Sequence, residues 1–116
     1  MNSVNLIGNL VREPEITQAK KGKERIVIAK FTVAVNRVGS EEADFIRCTC
    51  FGKTAEFAED YLSKGQRVGI TGRIQTGSYE HEEKGTIYTT DVIVERITFA
   101  DGKKDDSKKR RGKDDD

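Results

Sequence analysis

Residues 45–51 read FIRCTCF and predict a β-strand, because side chains two positions apart share one face of a strand. One face carries Phe45, Arg47, Thr49 and Phe51, and the opposite face carries Ile46, Cys48 and Cys50. A basic residue is rarely fully buried, and the second face already supplies small and medium-sized apolar side chains for a core. The pattern therefore predicts that Phe45 and Phe51 face solvent, although most strand phenylalanines are buried.

Two further strands are predicted before residue 45. Val4 to Leu10 (VNLIGNL) is apolar, and Gly8 within it favours a bulge or bend. Arg25 to Asn36 (RIVIAKFTVAVN) is rich in β-branched residues and places Lys30 on its polar face. Between these strands, the sequence predicts a turn at residues 11–14 and a polar, basic hairpin loop at residues 18–24.

One helix and two strands are predicted after residue 51. Residues 53–63 (KTAEFAEDYLS) place Phe57, Ala58, Tyr61 and Leu62 on one apolar stripe of a helix. Glu56 near the start and Lys64-Gly65 at the end match the helix dipole and the usual glycine stop. Residues 66–76 and 86–99 are predicted strands, joined by a polar hairpin arm over residues 77–85.

This order of three strands, one helix and two strands predicts an all-β OB-fold. That fold is a five-stranded, partly open Greek-key barrel, here with its helix between strands three and four. An SH3-like barrel is the structural alternative, but it normally lacks a three-turn helix at this point. We expect one OB-fold domain over residues 1–100. A disordered charged tail is expected over residues 101–116, which contain no aromatic or β-branched residue.

Bulk charge gives almost no support for binding to nucleic acid. The 116 residues include 21 Lys and Arg against 20 Asp and Glu, for a formal net charge of +1. Any electropositive surface must therefore come from segregation of charges within the domain. The sequence also lacks an apolar run of membrane-spanning length and the features of a secretory signal, so we expect a cytoplasmic protein without membrane contact.

The residues that carry catalytic or metal chemistry form no recognisable constellation. Cys48 and Cys50 are predicted to be buried, inert thiols, because residues two apart in a strand point the same way and are badly placed for a disulfide. The carboxylates are scattered without a nucleophile–base pair, and the single histidine, His81, falls in the polar arm. We therefore expect no enzymatic activity, no metal site and no cofactor.

The FIRCTCF strand instead favours binding of single-stranded nucleic acid. Proteins bind single strands without sequence preference by stacking bases on aromatic rings and lining the phosphate path with basic groups. The predicted site for single-stranded DNA comprises Phe45, Arg47, Phe51, Lys53, Lys30, Arg73 and Tyr79. Tyr61 is assigned to helix packing, and Tyr88 is left open. Two alternatives also stay open: an OB module for protein contacts in a replisome or primosome with weak DNA affinity, and an RNA-binding OB domain.

Several segments resemble the bacterial single-stranded DNA-binding proteins. They are VNLIGNL (4–10), REPE (12–15), FIR (45–47), FGK (51–53) leading into AE (55–56), YLSKG (61–65) and YTT (88–90). The resemblance spans roughly residues 3–99 and implies a homotetramer that coats exposed strands during replication, recombination and repair. It also implies base stacking at Phe45, Phe51 and Tyr79, and contacts of Lys53 and Lys64 with the DNA backbone.

Two features depart from that family. The chain has no tryptophan, which the family often places at the positions of Phe45 and Tyr79, and no aromatic near Val38, so a smaller stacking surface is expected. The family's long acidic linker ends in a short apolar tip that docks on partner enzymes, whereas this tail carries a basic run at residues 108–111 and stops at Asp114–Asp116. Replication and recombination proteins are candidate partners, but not through such a tip. A compact version of this kind is expected of a phage- or plasmid-encoded relative.

Overall fold

The computed structural model describes residues 1–100, except for the side chain of Lys21. Its elements, in chain order, are β1 (Val4–Leu10), β2 (Glu15–Lys21), β3 (Glu24–Asn36), β4 (Ala43–Phe51), α1 (Gly52–Tyr61), β5 (Arg67–His81) and β6 (Gly85–Phe99). The tail predicted over residues 101–116 lies outside the described residues.

Five strands close into a ring, which confirms the predicted OB-type barrel. The strand order is β1-β5-β6-β4-β3-β2, and an additional pairing joins β1 to β3. β1 closes the ring because it pairs with β5 over Val4–Asn9 and with β3 at Asn9 and Leu10. β4 and β6 pair in parallel over two residues, with Cys48 opposite Val92 and Thr49 opposite Ile93. The helix lies between β4 and β5, which are the third and fourth strands of the ring.

The segment before β3 differs from the prediction of a loop at residues 18–24. β2 runs to Lys21 and stays paired with β3 as far as Lys21↔Glu24. The turn is thereby reduced to Gly22 and Lys23, and Gly22 has a φ of 69°, which favours glycine. The polar side chains misled the prediction, because the ladder hydrogen bonds of an exposed hairpin come from the backbone.

α1 is close to the predicted helix but differs at its ends. It begins at Gly52 and ends at Tyr61, with no acidic residue in its first turn and no basic residue in its last. The predicted match of Glu56 and Lys64 to the helix dipole is therefore wrong. The helix buries Ala55 and Ala58 against the barrel, whereas Tyr61 stays half exposed while its ring packs on Phe57. No helix in residues 1–100 is long and apolar enough to cross a membrane.

The core lies inside the ring and is purely apolar. Its largest fully buried side chains are Ile70, Val33, Val68, Cys48 and Cys50. No polar or charged side chain described in residues 1–100 is buried. The burial of both cysteines confirms the predicted inward face of the FIRCTCF strand, and the fold depends on removal of apolar surface from water.

Two strand glycines are required by close backbone contacts. A Cβ atom on Gly8 would lie 2.5 Å from the carbonyl oxygen of Ala34, and one on Gly72 would overlap the carbonyl oxygen of Ile93. The predicted bulge or bend at Gly8 is not a register shift, since β1 stays in register with β5 through that residue. The shift occurs instead between Thr71 and Gly72, where β5 pairs with β6.

We expect Gly72→Ala to lower the free energy of unfolding by about 1–3 kcal/mol, because the backbone of β6 must move to admit the methyl group. Gly77→Ala is the matched control, since its Cβ would meet only the side-chain Oγ1 of Thr89, at 3.2 Å. Its cost should stay near 0.5 kcal/mol, roughly that of a surface substitution. Urea denaturation followed by circular dichroism measures both values, and equal stability of the two variants would contradict the role of Gly72.

Candidate nucleic-acid interface

β4 presents the predicted aromatic and basic side chains to solvent. Phe45 is 67% exposed and Phe51 is 47% exposed. Arg47, between them on the same face, is exposed as well. Because a strand rises about 3.4 Å per residue, the two phenylalanines stand about 20 Å apart along β4. The predicted exposure of both rings is confirmed.

β3 widens this surface on one side. Its antiparallel pairing with β4 sets Lys30 opposite Thr49 and Thr32 opposite Arg47. Directly opposite residues of an antiparallel pair project from the same face. We call the surface formed by Phe45, Arg47, Thr49 and Phe51 of β4 with Lys30 and Thr32 of β3 the β3–β4 face. Lys30 is exposed there and forms no ion pair with another described residue.

β6 extends the β3–β4 face towards the arm. The prediction ended the fourth ring strand at residue 76 and made residues 77–85 a polar arm, whereas β5 runs on to His81 and pairs with β6 as far as Gly85. The arm (residues 76–90) is therefore a paired part of β5 and β6. The pairing of β6 with β4 brings Asp91 beside Arg47, and its pairing with β5 sets Ile87 opposite Tyr79. Alternate residues of a strand share a face, so Tyr79 lies on the same side of the sheet as Arg47. Tyr79 is 54% exposed. Tyr88, which the sequence left open, projects from the other side of the arm and is 81% exposed.

Two of the predicted basic residues are held by carboxylates. Arg47 Nε lies 3.1 Å from Asp91 Oδ1, and Arg73 Nη1 lies 3.5 Å from Glu95 Oε2. Pairs in which the arginine is open to solvent contribute only about 0–1 kcal/mol to stability, so their main effect is on the charge of the surface. Sequence reasoning missed both carboxylates. For Arg47, the sequence offered one signal, because its partner Asp91 is a charged residue directly before the apolar run of β6.

A groove of about 760 Å³ crosses the middle of the β3–β4 face. One wall is the connection between β1 and β2, and the floor comes from β3, β4 and β6. The lining residues are Arg12, Glu13, Pro14, Glu15, Lys30, Phe31, Thr32, Arg47, Cys48, Thr49, Thr89 and Asp91. Basic and acidic side chains are equally represented in this lining, so the groove itself is not strongly cationic.

The two remaining lysines of the predicted site lie outside the strands. Lys53 is the second residue of α1, is exposed and forms no ion pair with another described residue. Lys64 lies in the connection from α1 to β5, where its backbone amide donates a 2.9 Å hydrogen bond to Glu13 Oε2. Lys53 is therefore two residues from Phe51, whereas Lys64 is joined through its backbone amide to Glu13, which lines the groove.

An arginine clamp fixes the loop between β3 and β4. Arg37 Nη2 lies 2.8 Å from Asp44 Oδ1, and Arg37 Nη1 lies 3.0 Å from Glu42 Oε1. The hydrogen bond from Arg37 lowers the pKa of the Asp44 carboxyl group below its ordinary value. Val38, in the same loop, is fully exposed. It lies near the position at which the family that the sequence resembles carries another aromatic residue.

The two cysteines are structural. Burial raises the pKa of the Cys48 thiol to about 12 and that of Cys50 to about 11. Both thiols are free of disulfides, and Cys50 Sγ lies 3.8 Å from the carbonyl oxygen of Ala29. In the described part of the chain, no three His, Cys, Asp or Glu side chains are grouped so as to hold a metal ion.

We expect both thiols to resist Ellman's reagent in the native protein at pH 8, because they stay protonated and out of contact with solvent. In guanidinium chloride, both should react within minutes. The measurement is the absorbance released in each condition. Rapid reaction of the native protein would show that β4 does not pack as described.

An OB-type barrel with exposed aromatic and basic side chains on its third ring strand is typical of the OB-fold proteins that bind nucleic acids. The model of the single-strand binding protein family matches residues 1–100. The chain belongs to this family, which confirms the resemblance seen in the sequence.

Individual relatives cover most of the chain. A single-stranded DNA-binding protein of Clostridium perfringens is 46% identical over 102 residues, which are 87% of this chain and 67% of the relative. One from Staphylococcus aureus is 40% identical over 111 residues, 91% of this chain and 69% of the relative. One from Halalkalibacterium halodurans is 41% identical over 104 residues, 85% and 60% of the two chains. These relatives are bacterial and give no support to the predicted phage origin.

Proposed function

We propose that the protein binds single-stranded DNA without sequence preference, on the β3–β4 face and the adjoining side of the arm. The observation that carries this proposal is the pair of exposed rings, Phe45 and Phe51, with Arg47 between them on one strand. Large apolar side chains held outside the core mark an interaction surface when polar groups surround them. The names of the bacterial relatives support the same ligand.

The aromatic rings explain why a single strand is preferred to a duplex. In a duplex, the faces of the bases are stacked on one another, and only their edges are open to a protein. In a single strand, each base offers a face on which Phe45, Phe51 or Tyr79 stacks, whatever the base is. Sequence tolerance and strand preference therefore follow from the same rings.

The basic side chains contact the phosphates in this proposal, and they are spread around the aromatic rings. Lys30 and Lys53 carry free charges on either side of Phe51, whereas Arg47 and Arg73 bring charges that carboxylates already offset. The contribution of phosphate contacts should therefore be moderate, with stacking supplying most of the selectivity. We assign no reaction chemistry to the protein. Its role is to coat and protect single strands in the cytoplasm during replication, recombination and repair.

We expect Phe51→Ala, Phe45→Ala and Tyr79→Ala each to weaken binding of oligo-dT by about 1–3 kcal/mol, the usual contribution of one stacked base. This corresponds to a roughly 5- to 150-fold rise in the dissociation constant. Tyr88→Ala is the control, because this exposed ring projects from the other side of the arm and should leave affinity within about twofold.

Fluorescence anisotropy with a labelled oligonucleotide is the suitable measurement, since the chain has no tryptophan. Labelled oligo-dT, oligo-rU and a duplex of equal length are titrated in parallel. Duplex binding as strong as oligo-dT binding would contradict the proposal, and a preference for oligo-rU would reassign the face to RNA. Failure to bind any oligonucleotide, with retention of a purified replication protein, would favour the protein-interaction alternative.

We also propose that the protein self-associates, as a tetramer. The resemblance implies this state, and Ile7 on the outer side of β1 leaves a half-exposed apolar side chain for a contact between copies. Light scattering at micromolar concentration should report a particle of four chains, with or without oligo-dT. A monomer under both conditions would contradict the proposal.

A further inference from the structure

Asp91 is an acidic residue beside Arg47 of the β3–β4 face, which we assign to the binding of single-stranded DNA, a polyanion. Its side chain is 30% exposed, and its Oδ1 lies 3.1 Å from Nε of Arg47. It also lines the groove beside Lys30. A carboxylate at this point offsets the charge of the arginine between the two exposed phenylalanines, which is unfavourable for binding phosphate as tightly as possible.

The geometry of the pair leaves the arginine usable. Asp91 Oδ1 lies beside Nε of Arg47, and the arginine side chain is 59% exposed. Asp91 is the one residue among 1–100 with which Arg47 forms an ion pair. A phosphate can therefore reach the exposed guanidinium group, but it must share that charge with the Asp91 carboxylate.

We propose that Asp91 is an intramolecular counter-ion that competes with DNA phosphate for Arg47 and holds the affinity of the β3–β4 face below its maximum. This inference rests on the proposed function of the same face. Its consequence is kinetic as well as thermodynamic, because weaker phosphate contacts speed release of the strand. A protein that covers single strands has to release them, and Asp91 speeds that release by weakening the contact of Arg47 with phosphate.

A purely structural role for the pair makes a different prediction. β4 and β6 pair only at residues 48–49 and 92–93, so Arg47–Asp91 stands directly beside a short parallel junction. If the pair served mainly to hold this junction, loss of the carboxylate charge would lower stability and weaken binding. The Arg47 side of the pair is 59% exposed, and ion pairs open to solvent contribute little to stability, which argues against such a role.

Asp91→Asn separates the two roles, because asparagine keeps the Oδ1 acceptor and the shape of the side chain but removes the charge. We expect it to bind labelled oligo-dT about three- to tenfold more tightly at 50 mM salt, from one removed charge close to the phosphate path. The slope of log K against log salt should become steeper by about 0.7, as one more phosphate is neutralised. The melting temperature should be unchanged.

Glu59→Gln is the matched control, since it removes the same unit charge from an exposed position on α1. Its affinity and salt slope should match those of the unaltered protein within about twofold. Equal gains from both variants would show a general charge effect and overturn the inference. Unchanged or weaker binding by Asp91→Asn would overturn it too, whether or not stability falls. If the unaltered protein fails to bind oligo-dT, it is the proposed function that is contradicted.

Discussion

The packing of Cys48 and Cys50 inside the barrel is the contact on which the proposed binding surface depends. Both side chains are buried among the apolar residues of the ring, so β4 has a fixed inward side. The period of two in a strand then forces the alternate residues outwards, including Phe45 and Phe51. A slip of one residue would bury these two rings and Arg47, and expose the core. The same constraint that stabilises the fold therefore creates the exposed aromatic face.

Charge has a smaller part in this molecule than is usual for a protein that binds nucleic acid. The formal net charge is +1, and carboxylates offset two of the arginines on the proposed binding side of the sheet. Arg37, at the neighbouring loop, is likewise paired with two carboxylates. We therefore propose that affinity at such a surface comes chiefly from stacking, which tolerates any base, and that the charges adjust its strength and salt dependence.

Sequence reasoning gave the strands and the two faces of β4, because hydrophobic periodicity is a local signal. β1 has the predicted bounds, and the barrel order follows from the order of the elements. β2 was missed because most of its side chains are polar and Ile16 alone packs against the core, so its strand is recognised chiefly from its backbone pairing with β3. The partners of Arg47 and Arg73 were missed for another reason. These contacts join residues that are far apart in the chain, and the register of β6 is fixed only by the closed barrel.

Photochemical crosslinking to oligo-dT, followed by mass spectrometry of the digested complex, tests the placement of the binding surface most directly. The β3–β4 face and the adjoining side of the arm predict thymine adducts on Phe45, Phe51 and Tyr79. Adducts confined to Tyr61 of α1 and Tyr88 on the far side of the arm would contradict this placement, even if the protein bound single-stranded DNA tightly.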